Sequence, residues 1–260
     1  MQKISALLIT FNEEKNIKRF LENADYADEI IVVDSYSTDR TAEIAKSFPK
    51  VKLYLREFTN FTDQKNFAIE KASNEWITFF DADEQIPDEL REEILTVTNS
   101  SNSADAYLVY RRFYFKDKVL NYSGMQNDKA IRVFRKSKCR YKSNRLVHEL
   151  IECDGVVAKL SNKLNHYTYS SSEEYRKKLT SYSKLRAQEL KLKNLQPNFF
   201  HFKIKPAYRF LSHYIIRLGF LDGKEGYIVS KLHADSVYKR YVFLNEIYEE
   251  QSSTLINKNA

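Results

Sequence analysis

WITFFDADE, residues 76–84, decides the fold. Trp76 to Phe80 is a short run of aromatic and β-branched residues, and two carboxylates, Asp81 and Asp83, follow it directly. Such a run reads as a strand covered on both faces. Its neighbours towards the N-terminus repeat the pattern. Ile4–Thr10 (ISALLIT), Glu29–Asp34 (EIIVVD) and Val51–Leu55 are strand-like and lack a clear polar side. Between them lie helical stretches. Glu13–Ala24 has Ile17, Phe20, Leu21 and Ala24 at helical spacing. Thr38–Phe48 is followed by Pro49, Thr62 is placed to cap a helix to about Ala72, and Pro87 stands where a first helical residue is expected. Alternating buried strands and helices predict an α/β domain with a mostly parallel sheet flanked by helices. Ligands of such sheets bind beyond the carboxyl ends of the strands, where Asp34 and Asp81 stand.

Towards the C-terminus the pattern changes. A polar stretch, Asn99–Asp105, precedes shorter strands near Ala106–Arg112, Ala130–Phe134 and Val156–Leu160. After Ser170 the chain becomes helical and basic, with a helix at Tyr175–Leu192 and breaks at Pro197 and Pro206. The expected organisation is therefore one α/β domain over residues 1–170, in halves 1–98 and 106–170. A helical basic region (171–250) and a flexible tail (251–260) complete it.

All five glycines lie at position 124 or later, so the strand-to-helix turns of the first half have none. A dinucleotide-binding fingerprint or a P-loop needs glycine there to let backbone approach phosphate, and both are excluded. A nucleotide diphosphate on this sheet would need its charge neutralised otherwise. Asp81 and Asp83, at i and i+2 beyond a strand, offer the hard oxygen ligands that suit Mg²⁺ or Mn²⁺. An acidic pair also ends strands or caps helices. Pro87 and Asp88 already serve the next helix, which weakens that reading.

With its neighbours, the pair becomes recognisable. LLITFNEEKNI (7–17), EIIVVDSYSTDRT (29–41) and DQKNFAIEKASNEWITFFDADE (63–84), in that order, resemble glycosyltransferase family 2, inverting enzymes of the GT-A fold. MQNDKAIRVFRK (125–136), LVHEL (146–150) and FLDGKEG (220–226) look like the subgroup that adds glucose to inner-core heptose in lipopolysaccharide assembly. The resemblance implies a metal-dependent transfer of a hexose from a UDP-sugar to a saccharide or lipid-linked saccharide acceptor, with Mg²⁺ or Mn²⁺. A non-catalytic nucleotide-sugar or glycan-binding protein, or a transferase for another surface polymer, remains the alternative.

By that resemblance Thr10, Asn12, Glu13 and Asp34 hold the nucleoside, although Thr10 and Asn12 also suit helix capping. Asp39 lies by the same pocket, where it also suits the first turn of a helix. Gln64, Lys65 and Asn66 face the donor, with Lys65 a partner for diphosphate. Asp83 is the direct metal ligand, Asp81 lies between metal and ribose, and Glu84 extends the cluster. Arg132 is expected at donor phosphate or acceptor. His148 and Glu149 form the other expected pair, His148 beside metal or diphosphate and Glu149 as the base that takes the acceptor proton. The commoner family pattern has an aspartate there, and Asp128 is the rival base. For His166, a phosphate or metal role competes with packing.

The net charge of +7 is unevenly placed. Arg176–Arg240 holds fifteen Lys/Arg against four Asp/Glu, an excess of +11, so the remainder carries about −4. Such a region suits a polyanion. Within it, Pro206–Leu221 spaces Arg209, His213 and Arg217 four apart among apolar residues, which predicts a helix with one cationic face. That helix fits the anionic inner leaflet of a membrane, packing on the catalytic domain, or a dimer contact. Nucleic acid is not expected, since no zinc, helix-turn-helix or RNA-recognition motif is present. The chain opens on a strand without a charged leader, and no apolar run reaches the ~18–20 residues of a span, so a cytoplasmic location is expected. Cys139 and Cys153, with no CxxC, read as reduced thiols.

Overall fold

The structure, a computed structural model, describes residues 1–116, 118–125, 128–142, 150–169 and 171–258. The chain forms two compact units: residues 1–112 with 128–167, and residues 113–127 with 168–260. The first unit ends at residue 167, and the segment 113–127 groups with the C-terminal helices.

In the first unit, β1 (Ile4–Thr10), β2 (Glu29–Asp34), β3 (Val51–Leu55) and β4 (Trp76–Phe79) run parallel in the order β3-β2-β1-β4. Helices α1 (Glu14–Asn23), α2 (Thr41–Lys46), α3 (Phe61–Lys71) and α4 (Asp88–Asn99) alternate with them. The sheet continues through β8 (Lys129–Arg135), antiparallel to β4, and β6 (Ala106–Phe115), antiparallel to β8, to β11 (Val157–Tyr169) and its antiparallel partner, the two-residue β5 (Glu84–Gln85). A separate hairpin pairs β9 (Cys139–Lys142) with β10 (Leu150–Cys153). The result is a mixed sheet flanked by helices, the GT-A arrangement that the resemblance implies.

The missing polar face of the first strands has a direct cause. In β1, Ile4, Ala6 and Leu8 pack with Ile17, Phe20 and Leu21 of α1 and with Leu90 and Ile94 of α4. Leu7 points the other way, into a cluster with Ile31, Val33 and the α3 residues Ala68 and Ile69. Both faces are dry, so both parities of the strand are apolar.

Helix starts differ in detail from expectation. The cap of α3 is Asn60, whose side chain accepts from Asp63 N at 2.8 Å, rather than Thr62, which lies inside the helix. Pro87 is extended and precedes α4 instead of opening it. α2 begins at Thr41 because residues 35–38 are held in a loop by Asp34 and Asn12. Cys139 and Cys153 are free thiols, yet they stand directly opposite each other across β9 and β10. Burial, then Cys153, pushes the Cys139 thiol up.

The second unit is built on α5 (Ser172–Leu192) and α7 (Gly223–Lys258), which runs through most of the segment expected to be a tail. The residues that close β6 pair with β7 (Lys118–Leu120), and Phe113, Phe115 and Leu120 pack against Tyr175, Val229 and Leu232. FLDGKEG ties this hairpin to α7. Asp222 is buried and accepts hydrogen bonds from Asn121 N and Tyr122 N, each at 3.0 Å, and from Ser123 Oγ at 3.3 Å. Gly226 is required by contact, since a Cβ there would lie 1.9 Å from the Gly219 carbonyl oxygen.

Between them, α6 (Lys205–Leu211) lies between two π-helical turns, Phe200–Ile204 and Ser212–Ile216. The helix ends at Ile216, and Leu218, at φ 57°, precedes a 3₁₀ turn at Gly219–Asp222. The expected single cationic face is not formed. His213 is buried and stacks on His233 with ring centroids 4.4 Å apart, and Arg209 Nη1 turns to His213 Nε2 at 3.3 Å. His233 Nε2 meets the Tyr175 hydroxyl at 2.7 Å. Burial, then Arg209 and Arg217, pushes His213 down to about 4. Burial, then His213 and the same arginines, pushes His233 to about 3.

Both rings are therefore neutral when folded at pH 6, whereas an unfolded histidine takes up a proton near its ordinary value of 6.5. A depressed histidine pKa means that the unfolded chain binds more protons, so stability falls as pH drops from about 6.5 towards 4. The slope is at most about 1.4 kcal/mol per pH unit for each histidine. Denaturant unfolding between pH 7 and pH 5 should show this fall, and His233→Gln should flatten it. An identical slope in the variant would remove the pair as its cause.

Candidate active site

The register brings the carboxyl ends of the first strands together. Thr10 pairs with Asp34, Asp34 with Leu55, and Leu7 with Phe79, so the segments after β1, β2 and β4 emerge on one edge. Beyond β2, Asp34 is fully buried. Its carboxylate accepts from Thr10 Oγ1 and Ser37 N, each at 2.8 Å, and from Ser37 Oγ at 2.5 Å. The resemblance puts Asp34 against a nucleotide; here its oxygens are engaged by the chain, where they fix the loop after β2. Asn12, with φ 57°, accepts from Thr38 N at 2.8 Å and its own N–H donates to Ser37 Oγ. Asp39 accepts from Glu14 N, Thr41 N and Thr41 Oγ1, which suits its place beside a helix start. Tyr36 is exposed at φ 59°, a conformation that costs a non-glycine residue roughly 1 kcal/mol.

Beyond β4, Asp81 and Asp83 are the accessible acids, with side chains 37% and 28% exposed. Beneath them Arg132 of β8 is only 4% exposed. Its guanidinium donates to the Phe79 carbonyl at 3.2 Å and to Asp81 Oδ2 and Glu84 Oε1, each at 2.5 Å. Expected at donor phosphate or acceptor, Arg132 lies behind Asp81 and holds it together with Glu84. Glu84 is fully buried, and its other oxygen accepts from Asp81 N at 2.8 Å. Arg111 bridges onward, 3.5 Å from Glu84 Oε1 and 2.5 Å from Asp128 Oδ1. β5 sets His166 opposite Glu84, and His166 Nε2 lies 3.3 Å from Asp83 Oδ2.

The charges explain the titration directions. Burial would raise Asp81, but Arg132, Lys65 and Arg111 hold it well below the usual carboxylate range. For Glu84, with no solvent contact, burial wins and its carboxyl is pushed up despite Arg132. Glu13 is raised first by burial and then by the negative charges of Asp83, Asp81 and Asp39. Lys65, on α3, lies over the rings of Tyr141 and Phe79 at 5.2 and 5.8 Å. Gln64 is buried, and Asn66 holds the Tyr141 backbone at both N–H and carbonyl.

Among the described residues no three His, Cys, Asp or Glu side chains converge as a metal cage. The donor set nonetheless fits Mg²⁺ or Mn²⁺. Mg²⁺ is commonly held by one or two carboxylates plus substrate phosphates, and the mutual repulsion at Glu13, Asp81 and Asp83 is what a cation relieves. His148 and Glu149 lie outside the described residues.

Arg111 and Tyr36 were not singled out from sequence. A signal for Arg111 exists: in AYLVYRRFYF it shares the parity of the buried Val109, Phe113 and Phe115. An arginine on an inward row needs an acid to meet it. For Tyr36 the hint was an aromatic amid the turn residues of DSYSTD.

A family model described as Glycosyl transferase family 2 matches residues 5–156. An uncharacterized glycosyltransferase of Rickettsia typhi is 29% identical over 100% of this chain and 92% of its own length. The lipopolysaccharide core biosynthesis glycosyltransferase LpsC of Rhizobium meliloti is 28% identical over 92% of this chain and 93% of its own. Among solved structures, S. aureus TarS 1-349 in complex with UDP superposes with a TM-score of 0.49 at 16% identity, covering 95% of this chain and 92% of that one.

Proposed function

Because this chain belongs to glycosyltransferase family 2, and is thus a transferase enzyme, we propose that its first unit moves a hexose, glucose by the subgroup resemblance, from a UDP-sugar to a saccharide acceptor of the lipopolysaccharide core. The observation that carries the reading is the pair Asp81 and Asp83, part-exposed at the end of β4 and backed by buried Arg132. The likeness to LpsC, named for lipopolysaccharide core biosynthesis, supports the acceptor class.

In this reading Thr10, Asn12, Glu13 and the loop organised by Asp34 receive the nucleoside, and Lys65 meets the diphosphate. Asp83 and Asp81 are the carboxylates that would hold Mg²⁺ or Mn²⁺, with His148 a further ligand. When bound, the ion supplies positive charge to the leaving diphosphate. Arg132, which keeps Asp81 ionised, and Glu84, which accepts from Asp81 N, are positioning residues. Inverting transfer is one in-line displacement: the acceptor oxygen bonds to the anomeric carbon, the nucleoside diphosphate leaves, and a base takes the hydroxyl proton. Glu149 is that base. Asp128, the rival, already has its Oδ1 engaged by Arg111 at 2.5 Å, which favours Glu149.

Calorimetric titration with UDP and GDP, each with and without Mn²⁺, tests the donor site. UDP should bind measurably only with Mn²⁺, and at least about tenfold tighter than GDP, the equivalent of 1.4 kcal/mol. Binding of neither nucleotide, or UDP binding indifferent to the ion, would sink the assignment of Asp81 and Asp83.

A further inference from the structure

The helical segment from Phe199 to Ile216 inverts the rule for a surface helix. Its inner side packs on α7 through rings: Phe202 on Tyr238 and Tyr241, and Phe210 and Tyr214 on Tyr227. Its outer side, where a soluble helix carries charge, is apolar. Phe200, Ile204, Tyr208, Leu211, Ile215 and Ile216 are all exposed, Tyr208 and Ile216 by 64% and 66%. Steps of four residues drift by about 40° along an ordinary α-helix, and the wider π turns at Phe200–Ile204 and Ser212–Ile216 oppose that drift.

Charge identifies the occupant. From Lys191 to Leu221 the chain has no Asp or Glu, while it carries Lys191, Lys193, Lys203, Lys205, Arg209 and Arg217. Lys193, Lys203 and Arg217 are exposed. A second copy of this chain would bring these like charges together across a two-fold contact. An anionic lipid surface meets them with opposite charge and receives the apolar row below its headgroups. No helix among the described residues is long and apolar enough to cross a membrane.

We propose that the outer face of residues 199–217 is an interfacial docking surface for an anionic phospholipid bilayer, with the helix lying in the headgroup plane. The inference concerns the second unit alone and stands whether or not the donor assignment does. Sedimentation of the purified chain with vesicles tests it, using equal parts phosphatidylglycerol and phosphatidylcholine in one set and phosphatidylcholine alone in the other. Binding should favour the anionic vesicles by at least about tenfold and weaken with salt. Tyr208→Glu with Ile215→Glu, both at exposed sites, should lower partitioning by about a hundredfold, with an unchanged thermal melt as the control on folding. Lys203→Glu should weaken only the preference for anionic lipid. Absence of wild-type binding overturns the proposal, as does binding that the double variant leaves intact. So does a dimer, seen by analytical ultracentrifugation, that the double variant dissociates while vesicles bind neither form.

Discussion

Asp83→Asn is expected to lower kcat for hexose transfer by about 10²–10³-fold, the usual loss when one group that stabilises transition-state charge is removed. The substitution is nearly isosteric. Asp83 is part-exposed, its backbone carbonyl accepts from Tyr167 N at 3.0 Å, and its carboxylate lies 3.3 Å from His166 Nε2. An amide can keep the shape and the contact with the ring, so stability should change by less than about 1 kcal/mol. What goes is a full negative charge at the end of β4. Two readouts separate chemistry from folding: transfer rate with a UDP-hexose, and Mn²⁺-dependent UDP binding by calorimetry. Both should fall while the thermal melt holds. A variant that keeps more than half its rate would show that Asp83 has no part in the chemistry. Asp81→Asn is a poorer probe, because it also removes an ion-pair partner of buried Arg132.

Arg132→Met is expected to destabilise the fold by about 3–5 kcal/mol at neutral pH, the cost of leaving a buried charge without its counter-charge. Glu84 is fully buried and Arg132 is its shortest ion pair; Arg111 stands farther off at 3.5 Å. The sign of the pH dependence follows from Glu84. Its carboxyl is already raised by burial, and loss of the guanidinium raises it further. A carboxyl raised in the folded state costs nothing below its unfolded value of 4.5, and costs stability as pH rises through its folded pKa. The deficit of Arg132→Met should therefore shrink as pH is lowered towards 4.5. Adding Glu84→Gln should recover most of it at pH 7. Urea unfolding of the single and double variants measures this. A single variant within about 1 kcal/mol of wild type would mean that Arg132 is not the counter-charge that holds this cluster.

These two residues also mark where sequence reading succeeds and where it stops. Asp83 could be read because its position is local: a strand with two dry faces ends at Phe79, and the acids directly after it must stand at the sheet edge. The spans of β1 and β2 could be read for the same reason, since both parities of each are covered. Arg132 could be found but not placed. In AIRVFR it resembles any strand arginine, and its burial depends on Phe79, Asp81 and Glu84, some fifty residues away in the chain. Phe113–Asn127 looked continuous with the first domain and groups with α5 and α7, because the apolar partners of Phe113 and Phe115 lie at Tyr175, Val229 and Leu232. His213 fitted a cationic row by spacing, yet the ring of His233 covers it and burial keeps it neutral.

By itself, then, the sequence determined the alternation of strands and helices, the absence of a glycine phosphate loop, the position of the acidic pair and the basic C-terminal region. Each is fixed by periodicity, composition or immediate neighbours. Only the tertiary structure decided which charges are buried, which arginine holds which acid, and which side of the helix at 199–216 stays uncovered. Burial and ion pairing are properties of residues distant in sequence, and local spacing cannot show what a side chain will be packed against.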